Sequence, residues 1–147
     1  MRRFFIIGRG WLLLDSAIFG LFGLLLAVSP DAFVFRPWTE AYVEFFSPSG
    51  GEERRFLLVP LGATLLGSYV MTGLIAAIPL KRAERWAWWA LACSFLAWFM
   101  LDTAMCIHHG VWFNVRQINL VALMVQGIPL AMTAPWIFSR DRIAVAD

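Results

Sequence analysis

Four stretches of the chain, at about 10–29, 56–80, 86–107 and 112–138, each hold twenty or more mostly apolar residues with few charges. A hydrocarbon core of about 30 Å takes roughly 20 apolar helical residues to cross, so each stretch has the length of one transmembrane helix. Composition points the same way. The 147 residues are 61% hydrophobic and only 15% charged, against about 25% charged in a soluble domain. Too little polar surface remains to cover a fold in water. The expected fold is an all-α membrane protein: a single domain over 1–147, built as an antiparallel four-transmembrane-helix bundle. A net charge of +2 from scattered residues argues against nucleic-acid binding.

An apolar run after Met1-Arg2-Arg3 has the outline of a cleaved signal peptide. Arg9 and Asp15 interrupt it, and Pro30 follows Ala27-Val28-Ser29, the one small-residue site, so the expectation is an uncleaved first span. Lys and Arg concentrate on the cytoplasmic side of membrane proteins. Eight of them (Arg2, Arg3, Arg9, Lys81, Arg82, Arg85, Arg140 and Arg142) fall on one side, and four (Arg36, Arg54, Arg55 and Arg116) on the other. Both termini are therefore expected in the cytoplasm. The tryptophans of RWAWW (Trp86, Trp88, Trp89) suit the inner interfacial belt and Trp112 the outer one. The long outer loop, 30–55, contains PWTEAYVEFF, whose Trp38, Tyr42, Phe45 and Phe46 fall near helical spacing behind Pro37. It reads as a short helix lying on the outer surface, followed by Ser49 and Glu52 at capping-box spacing before the second span.

Polar residues inside the spans narrow the reading further. The segment LDTAMCIHHG closes the third span with an acid, a thiol and two imidazoles. An ionised carboxylate inside a span costs a few kcal/mol on insertion scales, about 2.5–3.5 at the helix centre, so Asp15 and Asp102 should face protein rather than lipid. The third and fourth spans join through a few residues near Gly110, which makes them antiparallel neighbours. Asp102 lies eight residues before Gly110 and Asn119 nine after it, and the turn near Arg82 and Ala83 brings Thr64 to the same level. An outer polar layer of Thr64, Asp102 and Asn119 follows. At 100° per residue, Asp102, Cys106 and His109 share a face that Phe95 and Trp98 continue inward, while His108 points away from His109. Asn119, Gln126 and Thr133 recur every seven residues on one face of the fourth span. A deeper layer joins Asp15, Gln126 and Met71 or Thr72, counted inward from the outer ends of their spans. Arg116, beside Asn114, is placed to hold an anionic headgroup, to pair with Asp102, or simply to be solvated.

Several chemistries are disfavoured. Cys93 and Cys106 lie thirteen residues apart in one helix, roughly 20 Å at 1.5 Å per residue, beyond disulfide reach. Asp102, Cys106 and His109 are metal-binding residue types, yet a seven-residue stretch of one helix is too long for a compact site, so no metal is expected. Haem ligation by His108 or His109 suffers from their place at the water boundary, and no cofactor is expected. No nucleophile elbow, P-loop or paired-cysteine motif occurs.

The segments GATLLGSYVMTGL, RWAWWALACSFLAWFMLD, HGVWFN and NLVALMVQGIPL together resemble small four-span bacterial inner-membrane proteins of uncharacterised function, loosely the DoxX-like proteins. The resemblance covers roughly 56–132. It implies the four-span architecture and carries no activity over to any residue.

Three functions fit these readings. The first is a binding or accessory protein that holds a lipid-like apolar ligand, a membrane protein partner or a second copy of itself. The second is an intramembrane enzyme (an isomerase, cyclase or hydrolase) acting on an isoprenoid, sterol or quinone. Asp102 would be its general acid or base, oriented by Asn119 in a pocket of Phe95 and Trp98. The third is an oligomeric carrier with Asp15 and Asp102 as a proton relay. The ligand-facing set under the first reading is Thr64, Trp98, Phe95, His109, Arg116, Gln126 and Asp15.

Overall fold

Glycines and prolines inside the apolar segments, Pro60 and Pro135 among them, do not end their helices, and the breaks come at turn residues between the segments. The computed structural model describes residues 1–32 and 51–144, with side chains described over 1–32 and 58–139. Helix α1 spans Arg2–Val28, starting well before the expected position 10 because Phe4, Phe5, Ile6 and Ile7 extend the apolar pattern. Helix α2 spans Gly51–Ala77, and a 3-10 turn at Leu80–Arg82 precedes helix α3, Arg85–His108. Helix α4 starts at Trp112 and runs without a break to Ala144, through two π-helical segments at Val115–Asn119 and Leu123–Gly127. No strand occurs among the described residues. The expected surface helix at 37–46 and the Ser49 cap lie outside them.

Four helices are long and apolar enough to cross a membrane: Arg2–Val28, Leu58–Arg82, Arg85–His108 and Trp112–Ser139. In the most apolar stretch of each, only 11% to 33% of the residues are buried by protein. Faces of this kind, with Leu14, Leu21, Met100 and Leu101 all at least 56% exposed, need lipid against them.

The chain divides into two compact units, one comprising Met1–Asp15 and the chain from Thr72 onward, the other lying between Ser16 and Met71. In the first, Phe5, Leu12, Ala76, Leu80, Ala87, Leu91, Ala92, Leu130 and Ile137 form the core. Its helices α3 and α4 are antiparallel neighbours. The Trp88 indole donates to the Leu130 carbonyl at 3.0 Å, and the Trp88 ring meets Phe138 edge-on at 5.2 Å. Helix α1 lies close to α4, since a Cβ on Gly8 would sit 2.6 Å from the Pro129 carbonyl oxygen. In the second unit α1 and α2 cross at Gly23 and Gly62. There the backbones approach so closely that a Cβ on either glycine would fall within 2.6 Å of a main-chain nitrogen of the other helix. Such contacts between small residues hold membrane helices together by van der Waals packing. Leu26 and Leu58 fill the core beside the crossing.

Two turns fix the α3 ends. Ala83 ends the first in the left-handed region at φ 59°, its N–H bonded to the Leu80 carbonyl at 2.9 Å. Gly110 takes φ 74° in the second, where the Val111 N–H reaches back to the Cys106 carbonyl at 2.8 Å.

Candidate functional site: a polar cluster where α3 meets α4

Asp102 and Cys106 stand one helical turn apart on α3, which brings the Cys106 Sγ to 3.6 Å from Asp102 Oδ2. The turn at Gly110 then returns the chain along α3. Asn114, four residues after Gly110, comes back to the level of Cys106, four before it. Its side-chain amide reaches three acceptors: Asp102 Oδ2 at 2.9 Å, Cys106 Sγ at 3.0 Å and Asn119 Oδ1 at 3.3 Å. An amide nitrogen carries two hydrogens, so these three share them. Asn119 extends the chain by donating to Thr103 Oγ1 at 2.7 Å. Asn114 is 2% exposed and Asn119 fully buried, while Asp102, Thr103 and Cys106 are half-buried. Each of these bonds except those between Cys106 and Asp102 and between the two asparagines ties α4 to α3.

The π-helical segment Val115–Asn119 makes the arrangement feasible. On a regular α-helix, residues five apart point about 140° from each other. The i→i+5 bonding of a π-turn accommodates an extra residue, and both asparagines turn toward α3. The second π-segment, Leu123–Gly127, packs at Phe95: a Cβ on Gly127 would meet that ring at 3.3 Å.

One atom of the cluster is left over. Asn114 Oδ1 is buried and accepts no hydrogen bond, a condition that costs about 1–3 kcal/mol where it persists. The described residues also offer no donor to Asp102 Oδ1, since both bonds of this carboxylate go to Oδ2. Chemically, the cluster is a carboxylate held by an amide, open on its acceptor side. No group of three His, Cys, Asp or Glu comes together to hold a metal among the described residues.

The other residues singled out in the sequence lie as follows. The Thr64 hydroxyl donates to the Pro60 carbonyl of its own helix at 2.8 Å. Phe95 is buried, with its ring 6.3 Å from Trp98 and 5.7 Å from Phe99; Trp98 is 42% exposed. Arg116 is exposed and forms no ion pair with Asp102 among the described residues. Gln126 is half-buried. Asp15 is 3% exposed and neither of its carboxyl oxygens has a partner among the described residues, so the expected Asp15–Gln126 layer is not joined by a hydrogen bond. The expected divergence of the two histidines needs correction: their rings meet edge-to-face at 4.9 Å. Helix α3 ends at His108, and His109 leaves it at φ −92°, ψ 2°, so the 100° rule no longer applies. Both imidazoles are exposed.

Asn114 was not among the expected ligands of Asp102. Its signal was available in the sequence, because Cys106 and Asn114 stand symmetrically about Gly110. An unbroken α-helix that aims Asn119 at α3 would turn Asn114 about 140° away. Compared with protein-family models, with curated proteins and with solved structures, the chain matches none. The likeness to DoxX-like proteins therefore stands on its sequence segments alone.

Proposed function

We propose that this chain is a four-helix bundle of the bacterial inner membrane, both termini cytoplasmic, that binds a lipid-like molecule at the polar cluster of α3 and α4. The observation that carries this reading is a half-buried Asp102 carboxylate held from behind by Asn114 and bordered on its own helix by exposed apolar side chains. Trp98 lies four residues before it, 42% exposed, and Met105 three after, 55% exposed. Both positions share the Asp102 face of the helix. A polar anchor framed by an apolar surface suits a molecule with one polar end and a hydrocarbon body. The interfacial tryptophans support the membrane span: Trp86 and Trp112, at opposite ends of the α3–α4 pair, are 57% and 53% exposed.

Native mass spectrometry of the chain purified in mild detergent tests the reading. The wild type should retain a lipid-like mass that is lost from Asp102→Leu at unchanged helix content. Co-purification of protein subunits with no small molecule would replace ligand binding with an accessory role. Asp15 favours a second reading, a proton-coupled carrier, because an intramembrane carboxyl without partners is a functional candidate by default. That reading requires pH-driven flux in liposomes that Asp15→Asn abolishes.

A further inference from the structure

Resting on that reading of the cluster as a binding site, we infer that the polar end it receives is a hydrogen-bond donor without negative charge, the hydroxyl of a long-chain alcohol. The argument starts from which atoms are already engaged. The donors that border the carboxylate are in use: the Asn114 amide nitrogen on Asp102, Cys106 and Asn119, and the Cys106 thiol on Asp102. The atoms left open on the Asp102–Asn114 pair are both acceptors, Asp102 Oδ1 and Asn114 Oδ1; the Thr103 hydroxyl hydrogen, uncommitted among the described residues, belongs to a residue that meets Asn119 and not the carboxylate. A carboxylate or phosphate arriving here would find oxygen facing oxygen and the negative charge of Asp102. Arg116, the cation of this end of α4, is exposed and makes no bond to the cluster. It offers such an anion no compensation at Asp102.

A hydroxyl fits on both counts. Its hydrogen goes to Asp102 Oδ1, and being neutral it needs no counter-ion as it leaves water. An ammonium group also donates, but it gives up a strong hydration shell to enter a surface bordered by Leu101, 70% exposed, with Trp98 and Met105. The hydrocarbon body of the alcohol lies along those side chains. The amide of Asn114 acts as a positioning group: by holding Oδ2 it turns Oδ1 toward the incoming hydroxyl.

The test uses the purified full chain in mild detergent and three brominated probes of equal chain length: a fatty alcohol, a fatty acid and an alkylamine. Bromine quenches tryptophan fluorescence on contact, and the readout is the saturable part of the quenching. The alcohol should quench saturably, and the acid should bind at least about tenfold more weakly because of like-charge repulsion. Asp102→Asn removes the charge and, with its one oxygen held by Asn114 at the Oδ2 position, turns its NH2 toward the ligand. It should weaken the alcohol at least about threefold while the acid binds more tightly than to the wild type, a reversal of selectivity that a loss of folding does not produce. Acid or amine binding as tight as the alcohol in the wild type would overturn the inference while leaving the site standing. Absence of saturable quenching by all three probes would remove the site itself.

Discussion

Adding one methyl group at Gly62 should separate two helices. A Cβ there would sit 2.5 Å from the Ala27 nitrogen and 2.7 Å from the Gly23 carbonyl oxygen. Ordinary contact begins at 3.4 Å, so the shortfall is about 0.9 Å at the tighter point. Both obstructing atoms belong to the backbone of α1 and cannot swing aside as a side-chain tip would. The helices must move apart, or one must bend, and every contact along the crossing loosens together. Overpacking of this kind costs about 1–3 kcal/mol. Opposing it is the gain from replacing a helical glycine, about 0.5–1 kcal/mol. Gly62→Ala should therefore destabilise by about 0–2.5 kcal/mol net. Gly67→Ala lies on the same helix with nothing within 4 Å of the added carbon and should show only the gain. Reversible unfolding in mixed micelles, followed by circular dichroism, measures both. Equal stabilities for the two variants, or a more stable Gly62→Ala, would refute the close crossing.

Other consequences follow from particular contacts. Trp88→Phe keeps the ring packing on Phe138 but removes the indole hydrogen bond to Leu130, and should lower unfolding stability by about 0.5–1.5 kcal/mol. Asp15→Leu replaces a buried carboxyl that has no partner; if its burial is purely a cost, stability should rise by about 1–3 kcal/mol, and a fall would mean that Asp15 is engaged in the membrane. Replacing His108 and His109 with alanine removes an exposed ring pair and should leave stability within about 0.5 kcal/mol. A fluorescent protein fused to the C-terminus should glow and alkaline phosphatase fused there should be inactive; the opposite pair of results would reverse the proposed orientation.

Much of the architecture was legible because bilayer thickness imposes a length on every span. The four apolar runs and both α3 turns could be read directly, since Arg82-Ala83 and Gly110 are where the apolar pattern breaks. The site was legible only in part. Asp102 was placed against α4 by counting from Gly110, and Asn119 does reach α3, at Thr103. The residue that bonds the carboxylate is Asn114, which a regular helix aiming Asn119 at α3 would turn away. A π-turn adds a residue without changing any residue's hydrophobicity, so apolar periodicity carries little trace of it. Thr64 was included on depth alone, and depth carries no trace of the acceptor that its own helix supplies at Pro60. Likewise, the His108–His109 contact depends on where the helix stops, which a fixed angle per residue cannot register.

A double-mutant cycle between Asp102 and Asn114 tests the inward-facing carboxylate most directly. Asp102→Ala, Asn114→Ala and the double variant would be compared by unfolding in mixed micelles. A hydrogen bond of this kind between membrane helices predicts a coupling of about 0.6–1.7 kcal/mol, with either single change nearly as damaging as both. Strict additivity, within about 0.3 kcal/mol, would mean that the two side chains do not meet and that α3 and α4 are held by other contacts.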